Sequence, residues 1–525
     1  MYCINCRFFK SNYSFVGMRI INDDVKFSLC VVILLTFVFF GFQNQKEKHV
    51  FQERPNILLI VSEDNGSDLG CYGVKEVKSP NIDKLAENGM LLENAFVTYS
   101  VCSPSRSTIF TGLYPFQNGQ IGLATHGYRM YDHIVNTLPV VLKNGGYRTG
   151  CLGKIHVNPE SSMPFDFRPI KDDNFAKKGL PQYAIEAAKF FNATNDPFFL
   201  MVNFPDAHFP LQKQVDGMPA HPLEREDVDH TLPYVGANSK RLREFTANYY
   251  NGMMRLDESV GMLMDSLLAS GKLANTLIIY LGDHGAQFSR GKCTNYEAGL
   301  RVPMIISWKG HIEPAQRYTP LISSIDIFPT ILDAAKIKAN KKIPGISLLP
   351  YITETKKEWT RKYVFAAAEG TTPFWYFPKR SVRDERYKLI INLLAGIENP
   401  IYEAYEKHQG HFAGGATQDE IDASSNAFRK AYATWKQPPL YEFYDLMEDP
   451  LELNNLAEDS KYKKDCSRLK KALFAWRKES DDPFLDKRKM RLYSEEVKAI
   501  NQKYPKNDYM KNPDFNWEYP NYFNK

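Results

Sequence analysis

The sequence predicts an α/β protein built on a mostly parallel sheet with helices on both faces. Three observations carry that prediction. Continuous apolar runs at residues 56–61, 198–202 and 277–281 have the composition of strands buried on both faces. Each run leads directly into acidic and imidazole groups: Glu63 and Asp64, Asp206 and His208, Asp283 and His284. Between the runs lie helix-like stretches with end signals, as where Ser79 and Pro80 mark a start and Gly89 an end. Alternating strands and helices fold as parallel units with helices on the faces. Ligands of such sheets sit beyond the carboxyl ends of the strands, so the three polar clusters are expected to meet in space.

The remaining chain divides by composition. A leader is expected at residues 1–45, a catalytic domain at 54–355 and a smaller domain at 356–525. Past residue 360 the strand-like runs shorten, as at Tyr387–Ile391, and aromatic residues become frequent. Residues 409–425, rich in Gly, Ala and Ser, read as a loop. A chain of 525 residues exceeds one ordinary core. Its 43% hydrophobic and 24% charged content excludes disordered, collagen-like and coiled-coil classes. The net charge of +5, from 66 basic and 61 acidic residues, is too small an excess to indicate a nucleic-acid partner.

Lys26 precedes an apolar run from Phe27 to Phe42, the pattern of a signal peptide. The run is short for a spanning helix, so a retained anchor is the lesser reading. Met18 is an alternative start, with Arg19 and Lys26 as the charged region, and Cys30 lies too early in the run for lipid attachment. Export is therefore expected, to the periplasm or medium of a bacterium or the lysosome of a eukaryote. Eight cysteines are present, of which Cys3, Cys6 and Cys30 fall in the leader. The remaining odd number points to one cysteine with a separate task.

The most specific stretch runs from Cys102-Ser103-Pro104-Ser105-Arg106 to Thr111-Gly112. Ser103 suits a helix cap, Pro104 the first helical position and Gly112 the exit. Cys102 would then stand at a helix N-terminus, where free N–H groups and partial positive charge favour an anion. Arg106, one turn in, could hold an oxyanion or a nucleophile.

This Cys-x-Pro-x-Arg run followed by Thr-Gly resembles the signature of the type I sulfatases. The likeness spans roughly residues 54–460, through Arg54-Pro55-Asn56-Ile57, Ser79-Pro80-Asn81-Ile82-Asp83, Gly153-Lys154-Ile155-His156, Asp283-His284-Gly285, Arg301-Val302-Pro303 and Tyr444-Asp445-Leu446. Cys102 to Asn118-Gly119, with Pro164-Phe165-Asp166-Phe167 and Arg380-Ser381-Val382, is most similar to the heparan N-sulfatase (sulfamidase) branch.

The resemblance implies an alkaline-phosphatase-like fold: a large mostly parallel sheet flanked by helices, plus a smaller C-terminal α+β domain with an antiparallel sheet. It implies that a formylglycine-generating enzyme oxidises Cys102, and that the hydrated aldehyde attacks sulfur and later expels sulfate. It implies one divalent metal held by Glu63, Asp64, Cys102, Asp283 and His284. Oxygen ligands suit Ca2+, although Glu63 replaces the more usual Asp and His284 adds a nitrogen. Lys154 and Lys292 would bind sulfate oxygens, His156 would take the proton when sulfate leaves, and His208 would serve the leaving group. Arg106 would support the formylglycine, and His126 and His133 would lie near the pocket mouth.

Taken singly, each of these residues has an ordinary structural explanation. Lys154 and His156, two apart at a strand end, would share one face. Together and in order they point to an exported sulfatase acting on a sulfated polysaccharide or oligosaccharide such as ulvan or another algal glycan. The Lys- and Asn-rich composition fits an AT-rich bacterial genome. The alternative is a heparan N-sulfoglucosamine sulfohydrolase. Glu369 departs from that branch, which carries histidines in the matching stretch. A phosphonate or phosphodiester hydrolase, which shares the cysteine motif, is more remote. So is a sulfatase-like protein that only binds glycans.

Overall fold

A computed structural model describes residues 54–171, 175–176, 179–339, 343–353 and 358–524. The leader, including the apolar run at 27–42, lies outside the described residues. The first sheet contains eight strands: β1 (Asn56–Ser62), β2 (Met90–Phe96), β3 (Arg148–Gly153), β4 (Phe198–Phe204), β5 (Thr276–Gly282), β6 (Arg301–Val302), β7 (Met304–Ser307) and β8 (Gln316–Ser323). Their order is β3-β4-β1-β5-β7-β2-β6, with β8 beside β2. The four strands β3, β4, β1 and β5 are mutually parallel. β2 and β8 are also parallel, while β7 runs antiparallel to both β5 and β2. The three apolar runs of the sequence are thus adjacent strands, with β1 in the middle.

Seven helices position the core: α1 (Pro80–Glu87), α2 (Cys102–Thr111), α3 (Leu138–Asn144), α4 (Pro181–Asn192), α5 (Lys240–Ala269), α6 (Ile327–Ala334) and α7 (Lys463–Glu479). Strand side chains alternate between the faces of the sheet, and the packing follows. Leu58, Ile60, Leu200, Val202, Ile278 and Tyr280 meet α1, α4 and α5 through Leu85, Phe190 and Val260. Ile57, Leu59, Val61, Met201, Ile279 and Leu281 meet α2, α3 and α6 through Phe110, Leu142 and Ile331. Every residue of β1, β4 and β5 is buried, and each large apolar side chain so placed contributes about 1.5–3 kcal/mol. The continuous hydrophobic runs therefore have a direct cause: both sides of these strands are covered.

The second sheet is antiparallel, in the order β12-β11-β10-β9, from β9 (Val364–Ala368), β10 (Lys379–Arg383), β11 (Tyr387–Asn392) and β12 (Tyr441–Asp445). It is tied to the first part of the chain rather than set apart. Ala367 N–H donates to the Thr98 carbonyl at 2.9 Å. Lys388 on β11 pairs with Glu297 at 3.0 Å and Glu452 at 2.9 Å. Residues 54–525 form one compact unit. The 409–425 stretch, expected as a loop, contains a short helix at Gln418–Asp422, started by a Thr417 cap and a Glu420 that returns to the Thr417 N–H.

Candidate active site

Strand register brings the site together. Ser62 lies level with both Phe204 and Gly282, and Gly153 level with Asn203. Glu63 and Asp64, Lys154, Asp206 and Asp283 therefore leave the sheet at one height. The loops after β1 and β4 are joined by backbone bonds, Glu63 N–H to the Asp206 carbonyl at 3.0 Å and Ala207 N–H to the Glu63 carbonyl at 2.7 Å. Asp283 N–H donates to the Ser62 carbonyl at 2.9 Å. Gly285 is required by close approach: a Cβ there would lie 1.8 Å from the Ala298 carbonyl oxygen.

Cys102 is the first residue of α2, a helix buried along its whole length. The sequence placed the cap at Ser103. The structure places it at Val101, because Ser105 N–H already bonds to the Val101 carbonyl at 3.0 Å. Ser103 Oγ instead accepts from Ala124 N–H at 2.9 Å. The thiol sulfur lies 3.2 Å from His284 Nε2. Burial pushes the thiol up to about 12, against the pull of Lys154 and Lys292. As a thiol the residue is a poor nucleophile at neutral pH.

Around it, three buried carboxylates face three buried cations. Arg106 bonds Asp283 at 3.1 Å, Asn203 Oδ1 at 2.6 Å, and Glu63. Lys154 bonds Glu63 at 2.9 Å, and Lys292 bonds both oxygens of Asp64 at 2.8 and 3.0 Å. Burial alone would lower the Lys292 ammonium, but Asp64 outweighs it and holds it above its usual range. Side-chain donor atoms of Glu63, Asp64, Cys102 and His208 lie within 4.8 Å of one another, as do those of Cys102, Asp283 and His284. His284 Nε2 is 3.2 Å from Asp64 Oδ1, and its Nδ1 is held 2.9 Å from the Gly285 carbonyl. This donor set fits a divalent cation: oxygen-rich, convergent, buried and supported from behind.

Two more imidazoles complete the site. Both ring nitrogens of His156 are shielded from solvent and lack a hydrogen-bond partner among the described residues. Burial, then Lys154, Arg106 and Lys292, hold that ring well below the usual histidine range. His208 bonds the Phe209 carbonyl through Nδ1 at 2.6 Å and stacks on Phe175 with centroids 3.8 Å apart. Burial and the same two lysines push it down as well.

The sulfatase family model matches residues 55–337. The chain belongs to the sulfatase family. A second model, N-sulphoglucosamine sulphohydrolase C-terminal, matches residues 282–411. The N-sulphoglucosamine sulphohydrolase of Homo sapiens is 30% identical over 467 residues, covering 82% of this chain and 91% of its own. An ulvan-active sulfatase of Formosa agariphila is 29% identical over 445 residues, covering 83% and 82%. A protein solved in complex with its substrate D-glucosamine-2-N,6-O-disulfate shares the fold, with a TM-score of 0.61 and 19% identity over 82% of this chain and 99% of that one. The protein is thus a sulfuric ester hydrolase of the alkaline-phosphatase-like fold, in a family that uses formylglycine and a divalent metal.

Against that background, the structure gathers all ten sequence-predicted residues of this sulfatase into one cluster: Glu63, Asp64, Cys102, Arg106, Lys154, His156, His208, Asp283, His284 and Lys292. Lys154 and His156 do not share a strand face, since β3 ends at Gly153 and His156 has a left-handed backbone with φ 55°. His208 stands among the potential metal donors. His126 bonds Tyr509 Oη in the C-terminal tail, and burial lowers it to about 4. His133 stacks on Tyr131 and meets Asn524. Glu369 pairs with Arg380 at 2.7 Å. Sequence reasoning missed Asn203, whose carbonyl oxygen orients Arg106, and Arg255 of α5, which grips Asp206 at 2.9 and 3.1 Å. The signal for Asn203 was a lone amide in the apolar run of β4.

Proposed function

We propose that this sulfatase is exported and removes sulfate esters from a sulfated polysaccharide or oligosaccharide such as ulvan or another algal glycan. The observation that carries the reading is the setting of Cys102: a helix N-terminus facing three carboxylates, three cations and His284. Formylglycine at this position would supply the hydrate that attacks sulfur, and a metal held by Glu63, Asp64, Asp283 and His284, by preference calcium, would offset the sulfate charge. Lys154 and Lys292 present ammonium groups to the sulfate oxygens as charge builds. Arg106 holds Glu63 and Asp283 in place. His156, kept neutral, is able to accept a proton, and His208 serves the leaving oxygen.

Support for a sulfated algal glycan comes from the ulvan-active relative and from Glu369, which is sequestered by Arg380 where the sulfamidase branch has histidines. The second reading, cleavage of N-sulfoglucosamine, is favoured by the C-terminal family match. Export rests on the Lys26-led apolar run, and conversion of Cys102 requires a formylglycine-generating partner. The test is sulfate release by protein co-produced with that partner, on sulfated ulvan oligosaccharides and N-sulfated glucosamine oligomers, with Cys102→Ala as control. Release from the ulvan oligosaccharides alone supports the proposal. Release from the N-sulfated sugar alone replaces it with the second reading. No release from either contradicts both.

A further inference from the structure

His411 stands at the rim of the site and has no assigned task. Its ring is exposed, and it meets the His208 ring edge-on, with centroids 5.5 Å apart and planes at 65°. It meets Phe209 in the same way at 5.6 Å and 87°. Lys292, Asp64 and Lys154 all lie within electrostatic reach of it. Its nitrogens have no hydrogen-bond partner among the described residues, whereas nearby His408 is tied to the Gly415 carbonyl at 3.0 Å.

The loop that carries His411 is braced. Arg241 of α5 donates to the Ala413 and Gly415 carbonyls at 3.0 and 2.6 Å. Ala416 N–H donates to Ser289 Oγ at 2.9 Å, and Tyr405 Oη to the Lys292 carbonyl at 3.1 Å. Phe412 is buried against Trp375 and Tyr405, with centroids 4.9 and 4.4 Å away. Three hydrogen bonds thus hold the backbone just after His411, and the buried ring of Phe412 anchors the adjoining residue, so that a single exposed polar ring is held beside His208. That expenditure of structure is not needed for a surface histidine. A preorganised polar group one ring-width from the leaving-group histidine is placed to touch the part of the substrate that carries the leaving oxygen.

We infer that His411 is a specificity-determining residue: its imidazole hydrogen-bonds a hydroxyl of the sugar unit that bears the scissile sulfate. The inference rests on the sulfatase reading and adds to it the recognition of a polyhydroxylated leaving group. An imidazole can donate or accept such a bond, and an aryl leaving group offers no equivalent hydroxyl.

The experiment compares wild type, His411→Ala and His411→Gln on 4-nitrophenyl sulfate and on whichever of the ulvan oligosaccharide and N-sulfated glucosamine the wild type cleaves faster. The quantity read is the ratio of kcat/KM for sugar over aryl sulfate. In His411→Ala this ratio falls about 10- to 100-fold, chiefly through KM for the sugar. His411→Gln, whose amide can still donate, falls less, and it decides the matter should the alanine variant fail to fold. An unchanged ratio in both variants overturns the inference while leaving the sulfatase reading intact. No sulfate release by the wild type overturns the sulfatase reading, and this inference with it.

Discussion

Lys292 Nζ lies 2.8 and 3.0 Å from the two carboxylate oxygens of Asp64, and Lys154 Nζ lies 2.9 Å from Glu63. With Arg106 on Glu63 and Asp283, the buried carboxylates are matched one for one by buried cations. A divalent cation among Glu63, Asp64, Asp283 and His284 would draw these carboxylates to itself, leaving Lys154 and Lys292 to meet the single negative charge of a sulfate ester. Calcium is expected to raise the thermal midpoint of the resting protein, contributing about 4 kcal/mol at a thousandfold excess over Kd. Differential scanning calorimetry of chelator-treated protein with added calcium measures this, and Asp283→Asn should remove the response. A response retained in that variant would place the ion elsewhere.

Lys292→Ala should lower kcat by about 10²–10³-fold, as for loss of one oxyanion donor. The effect should appear in kcat more than in KM, because charge on the sulfate oxygens builds toward the transition state. Steady-state kinetics on any accepted sulfate ester checks it. An effect confined to KM would make Lys292 a simple ground-state anchor.

Arg106 is fully buried with two carboxylate partners and the Asn203 amide. Removing one partner of a buried ion pair costs about 3–5 kcal/mol because the others remain uncompensated. Arg106→Met should therefore lower stability by that amount in denaturant titration, in addition to losing activity. Loss of activity with unchanged stability would show that the arginine serves chemistry alone.

Much of this was legible in the sequence. The runs of β1, β4 and β5 announce themselves because both faces are buried, and the polar residues that end them converge because the strands are parallel and in register. The cysteine motif marks α2 by its Pro, Arg and Gly. What sequence could not supply is long-range partnership. Nothing near Glu369 foretells Arg380, and nothing near His411 foretells His208, since those pairs are made by tertiary packing of distant loops. The Ser103 cap failed because propensity favours serine there, while the helix is opened by a backbone bond to the Val101 carbonyl, two residues earlier.

Glu369 gives a pH signature. Burial raises its carboxyl to about 7, Arg380 opposing and Asp482 reinforcing the rise. The folded value exceeds the 4.5 of the reference side chain. The protonated form is thus the one that the fold favours. Its contribution to stability is fully present below pH 4.5 and is lost as pH rises through about 7. The stability difference between wild type and Glu369→Gln should therefore shift against the wild type across that window and level off above it. Urea titrations of both proteins at a series of pH values measure the difference. A difference that moves in favour of the wild type would mean that the Arg380 pair dominates.

The central claim, that Cys102 carries the chemistry once converted to an aldehyde, is tested most directly by plotting sulfate release against occupancy. Preparations made with graded amounts of the formylglycine-generating enzyme would be assayed for sulfate, and the peptide containing position 102 weighed by mass spectrometry. The account predicts a rate proportional to the aldehyde fraction, extrapolating to zero for the all-cysteine protein. A rate independent of that fraction, or one that persists in Cys102→Ala, would contradict it.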